Sequence, residues 1–373
     1  MISRLLPNRV RRSYLGGSRI DAFCGTPPSA PRQQAYNSKE PPRPEDWLAS
    51  TTQAFNGTLE IEGEGLGRLE DGRLVRDVSG ALPILVKLLD SDERLVVQAH
   101  PTVPCAKRLF HSPVGKTECW YFLPGTAPDA CVYLGFKPGV TRSSWEAAVR
   151  AEMASHAENG GGMSHAEFAE NTEKTHDEKT PRTSRTPRDA NPTLLSFLHR
   201  IPVSAYDFVF VEGGVPHAIG GGCFMVELQE PSDLMVVAER FTPSGRRIPD
   251  AKMHGGVGWE RMFDVYEYDG RTFEETVAKY VRRGGGALGD RALPVRADRR
   301  AARICGPEFT DKFEMWRLSG GASVMLGGAP AVVVVTDGEG ALNSLPARRG
   351  DRLVVSGESV LTADGSVSAI VCF

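Results

Sequence analysis

Hydrophobic positions along the chain fall in short runs broken by Gly, Pro and Asp. ALPILVKLLD (81–90), RLVVQAH (94–100), CWYFL (119–123), ACVYLGF (130–136), DFVFVEGG (207–214), CFMVELQE (223–230) and LMVVAERF (234–241) are rich in Val, Leu and aromatic residues. Runs of this length between turn residues predict strands of an antiparallel sandwich or barrel. TLEIEG (58–63) reads the same way. From about Asp311 the pattern returns in KFEMWRL, SVMLGG, AVVVVTDGEG, DRLVVSGES and SVSAIVCF. Helices are predicted at PEDWLAS (44–50), at SSWEAAVRAEM (143–153), where Ser143 or Ser144 can cap, at PTLLSFLHRI (192–201) and at FEETVAKYVRR (273–283). Strands do not alternate with long helices, and no GxGxxG opens a helix, which disfavours a dinucleotide-binding domain.

The pattern lapses at 155–190, where charges and His156, His165 and His176 replace apolar residues. Such a stretch cannot bury enough surface to offset chain entropy, so it reads as a mobile surface insertion. The Pro- and Gly-rich residues 25–43 read as irregular, and RRGGGALGDR (282–291) as a linker. The expected organisation is a domain over 1–275 with a helical portion, a linker region at 276–310 and a small β unit over 311–373. That last unit contains no histidine.

Composition narrows the classes. With 373 residues, 24% charged and a net charge of -3, the chain carries no basic footprint for nucleic acid. No apolar stretch is long enough to suggest a membrane span. The basic start, MISRLLPNRVRRSYLGGSR, raises the reading of a cleavable leader, which Pro7 and Gly16-Gly17 weaken. Seven widely spaced cysteines, odd in number and without a CxxC, fit a reducing compartment, and the cytoplasm is the expectation.

Candidate chemistry gathers in four places. Gln98 and His100 share one face of a strand. Lys116 and Glu118 stand two apart in GKTECW, His217 lies between glycine-rich segments in VEGGVPHAIGGG, and Glu227, Gln229, Glu230 and Asp233 crowd ELQEPSDL. Each alone reads as an ordinary strand or surface residue. Two histidines, a carboxylate and an amide on strand ends can instead meet at the mouth of a barrel and hold a divalent ion. His254 and Trp259 read as packing residues, and His111 as surface.

In this order LVVQAHP, GKTECWYFL, VPHAIGGG and VELQEPSDL resemble the type I phosphomannose isomerases (mannose-6-phosphate isomerases), in their shorter bacterial-type branch. The resemblance takes in most of the chain, from WLAST to the C-terminal strands. It implies a mainly β fold with helical segments, built of two cupin-type β-barrel (jelly-roll) units with the metal site in the first. It also implies one divalent metal ion, zinc being the family expectation, on Gln98, His100, Glu118 and His217. Lys116 matches the family lysine beside the glutamate, as base or as substrate cation. Asp233 and Glu230 are the rival catalytic acids or bases. The implied reaction is interconversion of mannose 6-phosphate and fructose 6-phosphate through an enediol. A sugar phosphate is the implied partner, and the protein is expected to be a monomer or small homo-oligomer. Two departures stand out. Val237 replaces an arginine found in many members, leaving Arg240, Lys107 and Arg108 as candidate phosphate cations, and Gly115 replaces a histidine of the longer branch. A non-catalytic sugar-phosphate binder and a cupin oxygenase are the alternatives.

Overall fold

A computed structural model describes residues 1–27, 42–56, 61–158, 192–284 and 300–373. Most of the 155–190 segment, the centre of the 25–43 stretch, the start of TLEIEG and most of RRGGGALGDR lie outside the described residues.

The chain is mainly β, and its first unit is formed by two antiparallel sheets. Seven strands make one, in the order Val281–Arg282, Phe208–Val211, Glu118–Phe122, Cys223–Gln229, Leu85–Ser91, Glu45–Leu48 and Arg9–Val10. Five make the other, in the order Val236–Val237, Gln98–Ala99, His217–Ile219, Cys131–Phe136 and Leu198–Pro202. Their inward faces share a core in which Val132, Leu134 and Ile219 meet Trp120, Val209 and Met225. Cys223–Gln229 is buried along its whole length and pairs on both edges, opposing Leu85–Ser91 on one side and Glu118–Phe122 on the other. A second apolar cluster, centred on Phe136, Trp145 and Phe263, packs helix Arg142–Glu158 against the outside of the five-stranded sheet.

The C-terminal unit repeats the two-sheet plan. Ala331–Asp337, whose Val-Val-Val-Val run suits a pleated surface, sits between Arg352–Val355 and Ser368–Cys372. Two segments join this sheet from elsewhere. Ile2–Arg4 pairs with Leu353–Val355, and Ala301–Cys305, inside the stretch read as linker, pairs with Met315–Leu318. Ile304, Cys305, Met315, Val332, Ile370 and Cys372 belong to the same core as the first unit, so the two units share an interior.

Several predicted elements differ. PEDWLAS is not a helix: Glu45–Leu48 is a strand held between Arg9–Val10 and Leu85–Ser91. Pairing on both edges overrides local helix preference there. In PTLLSFLHRI the helix is confined to Pro192–Leu195, and Leu198–Pro202 crosses into the five-stranded sheet opposite Cys131–Phe136. RLVVQAH and LMVVAERF keep only the short strands Gln98–Ala99 and Val236–Val237, which pair with each other. SSWEAAVRAEM is helical as predicted, and FEETVAKYVRR is helical over Phe273–Tyr280, with a Thr272–Glu275 capping box, before Val281–Arg282 passes into a strand against Phe208–Val211.

Candidate metal centre

Strand Glu118–Phe122 sends Glu118, Trp120 and Phe122 to one face, as period-two geometry requires. That face looks into the space between the two sheets of the first unit. Opposite it, His217 pairs in register with Gln98, so both side chains share a face of the five-stranded sheet. His100 follows at the end of the same strand segment.

These side chains converge. Glu118 Oε2 lies 3.3 Å from His100 Nε2, and Glu118 Oε1 lies 3.4 Å from His217 Nε2. The Gln98 amide is 3.4 Å from His217 Nε2, and the two imidazoles are 4.8 Å apart by ring centroid. All four are buried. His100, Glu118 and His217 form the group able to hold a metal ion among the described residues.

The imidazoles are oriented for ligation. His100 Nδ1 is 2.8 Å from the Leu234 carbonyl and His217 Nδ1 is 2.9 Å from that of Val215. A carbonyl can only accept, so each Nδ1 carries the hydrogen and each Nε2 presents its lone pair toward Glu118. Burial, reinforced by the Lys116 cation, pushes the His100 pKa down to about 3, and burial also depresses that of His217. Both rings are therefore neutral at pH 7. Burial alone would push the Glu118 carboxyl up, but the Lys116 cation outweighs it and holds it well below the usual carboxylate range. Two neutral imidazoles, one ionised carboxylate and one amide fit a divalent ion of borderline softness.

Lys116 enters the same site. Its ammonium is 2.7 Å from His100 Nε2 and 2.9 Å from Glu118 Oε2. The segment carrying it is pinned by Glu230, whose carboxylate accepts from the backbone N–H groups of Gly115 (3.3 Å) and Thr117 (2.9 Å). Ser232 donates to the Gly115 carbonyl at 2.6 Å. Gly115 is required by space: a Cβ there would lie 2.7 Å from the Pro101 carbonyl oxygen and 2.8 Å from Val103 N. A histidine has no room.

Beside the cluster a cavity of about 40 Å³ is lined by Gln98, Lys116, Asp233, Arg12, Lys87 and Lys252, among others. Asp233 reaches it, but its oxygens are engaged by Arg12 at 3.1 Å and the Phe55 N–H at 2.8 Å. Arg240 is not part of this lining: it pairs with Asp250 and stands over the Trp259 ring at 5.6 Å. Lys107 and Arg108 are exposed on helix Val103–Leu109. His254 packs edge-on against Trp259, 5.0 Å between centroids.

Several residues of this interior were not anticipated. Glu45 accepts from Arg12 (3.0 Å), Tyr14 (2.7 Å) and Trp47 (2.7 Å), while Lys87 donates to Glu227 at 2.6 Å. The lone lysine inside ALPILVKLLD was the available signal, since a fully buried strand holds a charge only against a partner.

A larger hollow of about 510 Å³ lies elsewhere, along Glu212, Glu267, Arg271 and Lys279. Lys279 is paired with Glu212, and Arg271 with Asp269. It contains none of the four converging side chains.

Fold and site together define a mainly β protein of two two-sheet units with a buried candidate metal centre in the first. The curated proteins it matches are mannose-6-phosphate isomerases, the activity of the family that the motif order resembles. No family model matches the chain. Mannose-6-phosphate isomerase ManA of Bacillus subtilis is 29% identical over 151 residues, 40% of this chain and 35% of the relative, so the match spans about a third of that protein. The mannose-6-phosphate isomerase of Streptococcus mutans is 24% identical over 281 residues, 74% of this chain and 69% of the relative. Among solved structures, the mannose 6-phosphate isomerase of B. subtilis superposes over 100% of this chain and 99% of its own with a TM-score of 0.65 at 16% identity. A mannose 6-phosphate isomerase bound with zinc and yttrium gives a TM-score of 0.59 at 14% identity, covering 100% of this chain and 99% of its own. At these identities the structural likeness establishes the fold.

Proposed function

We propose that this chain is a metal-dependent aldose–ketose isomerase that interconverts mannose 6-phosphate and fructose 6-phosphate. The observation that carries the reading is the convergence of Gln98, His100, Glu118 and His217, with both Nε2 lone pairs aimed at one carboxylate and Lys116 beside it. The four would hold one divalent ion, with zinc favoured by the imidazole and carboxylate donors and by the zinc-bound structural neighbour. When bound, that ion would act as a Lewis acid on the sugar oxygens.

The rest falls to side chains of the chain. Isomerisation moves a carbon-bound proton between C2 and C1 through an enediol, so a group at the cavity wall must accept that proton and return it. Lys116 lines the cavity and is fixed by Glu230 through the backbone on either side of it. It is assigned to the proton transfer, a role that requires it as the free amine, the form that an ion held by Glu118 and His100 would favour in place of the ammonium. Asp233, bound by Arg12 and Phe55 N–H, is assigned to positioning the polar wall. Glu230 acts through Lys116, because both its oxygens are used by backbone donors. Burial of the whole site excludes bulk water from the enediol.

Among the described residues no helix is long and apolar enough to cross a membrane. All seven cysteines are free thiols, which favours a cytoplasmic setting.

The test is a coupled assay for fructose 6-phosphate formed from mannose 6-phosphate, on protein as purified, after chelation and after zinc is restored. Activity should vanish with the chelator, return with zinc and be absent from Glu118→Gln. Protein that takes up zinc stoichiometrically and turns over no mannose 6-phosphate would leave a sugar-phosphate binder as the better account.

A further inference from the structure

The charged lining of the cavity beside the metal centre does not balance. Its cations are Arg12, Lys87, Lys116 and Lys252; its anions are Glu45, Glu227 and Asp233. Arg12 is matched by Glu45 and Asp233 at 3.0 and 3.1 Å, Lys87 by Glu227 at 2.6 Å, and Lys116 by Glu118 at 2.9 Å. Lys252, on helix Asp250–Met253, is 5% exposed, and no carboxylate lies within ion-pair distance of it among the described residues. It shares the wall with apolar Val96, Val237 and Ile248; Asp233 and Glu45 act on it only from beyond ion-pair range and are already held by Arg12, which with Lys116 repels it. A buried ammonium without a counter-ion is unfavourable unless an anion is brought to it.

We propose that Lys252 is the cation that seats the phosphate of the substrate, taking the part for which Val237 offers no charge. The space of about 40 Å³ suits a few waters or one small anionic group rather than a whole hexose. Lys116 and Gln98 line the same cavity, so the seat adjoins the candidate metal centre. Burial, with the nearby Arg12 cation, lowers the Lys252 pKa to about 8, which still leaves it mostly protonated at pH 7. The identity of the anion as a sugar phosphate rests on the isomerase reading; the existence of an anion seat does not.

Two measurements on the zinc-loaded full chain test this, with Lys252→Met, Lys252→Gln and the rival Arg240→Met beside the parent. The first is binding of inorganic phosphate by titration calorimetry. The second is turnover of mannose 6-phosphate and of unphosphorylated mannose. Loss of one charge-assisted contact should weaken phosphate binding about 10- to 100-fold in both Lys252 variants and raise KM for mannose 6-phosphate by a similar factor, with kcat changed far less. Turnover of mannose should be unchanged in them, and Arg240→Met should behave as the parent. If the parent isomerises mannose 6-phosphate while the Lys252 variants keep its KM and its phosphate affinity, the seat is elsewhere and the isomerase reading survives. If the parent binds phosphate through Lys252 but turns over no sugar phosphate, the anion seat stands and the isomerase reading fails. Loss of phosphate binding in Arg240→Met alone would overturn the assignment in favour of that arginine.

Discussion

The contact between Lys116 and Glu118 makes a quantitative prediction for protein stripped of metal. The two side chains are 3% and 1% exposed, and Nζ to Oε2 is 2.9 Å. At an effective dielectric near 20, 332/(20 × 2.9) gives a gross attraction of about 6 kcal/mol, from which desolvation of both ions subtracts. Removing one partner strands the other. In Glu118→Gln the ammonium faces two neutral imidazoles; in Lys116→Met the carboxylate keeps no cation at comparable range. Each single change should cost about 3 kcal/mol or more. The double variant strands neither charge and should cost far less than the sum, giving a coupling of at least about 2 kcal/mol. The assay is urea unfolding in excess chelator, followed by the fluorescence of Trp120, which is fully buried and edge-on to His217. Zinc adds a second axis: Glu118→Gln should lose affinity by well over about 100-fold, whereas Lys116→Met should keep it, because it removes a cation that shares two ligand atoms with the ion. Additivity of the two single changes within about 0.5 kcal/mol would refute the pairing, whatever the metal results.

Other expectations follow from neighbouring contacts. Glu239 accepts both Arg94 guanidinium nitrogens at 2.8 Å and the Val97 N–H at 2.6 Å. Glu239→Gln should therefore cost about 2–4 kcal/mol and loosen zinc at Gln98, read by urea midpoints and by chelator competition; a stable variant with parental zinc affinity would refute it. Glu230→Gln keeps one acceptor for the Lys116 segment, so kcat should fall no more than about 10-fold at unchanged zinc affinity; a loss of 10³ would mark Glu230 as a proton-transfer group itself. Burial raises the Glu45 carboxyl, yet Arg12 and Lys87 outweigh that and hold it well below 4.5. With the folded value depressed, its stabilisation is full above the unfolded value and is lost as pH falls through the acid range. Urea midpoints from pH 6 down to pH 3 should fall more steeply for the parent than for Glu45→Gln, and parallel curves would contradict this.

How much was legible depends on what each signal measures. Apolar runs bounded by turn residues located the long strands because those strands are buried and paired on each edge, and motif order located Gln98, His100, Glu118 and His217, which the fold does bring together. Glu45–Leu48 was misread because local preference cannot register pairing to Lys87 and Arg9 across the sequence. Arg12 was hidden for a related reason. A basic N-terminal stretch reads as a leader by composition, while the fold draws Arg12 between Glu45 and Asp233, 221 residues away from the latter. Arg240 was favoured for standing near a missing arginine in sequence, but Asp250 and Trp259 hold it off the cavity, and Lys252 is the cation that arrives.

The second unit bears on the site through the strand that carries Glu118. Glu118, Trp120 and Phe122 face the first unit's interior, so Cys119 and Tyr121 must face the other way. That outer face is buried too: Cys119 lies against Cys305, and Ile304, Met315, Ile370 and Cys372 of the C-terminal sheet complete the same core. The strand is thus packed from both sides, which fixes the height at which Glu118 meets His100 and His217. Ile2–Arg4, by pairing with Leu353–Val355, and Arg352, by its ion pair with the fully buried Asp46, tie the N-terminal segment to that sheet. Arg12 stands a few residues along the same segment and organises Glu45 and Asp233 at the cavity. A unit without a histidine therefore governs the metal centre by position: it clamps the strand behind Glu118 and anchors the segment that delivers Arg12.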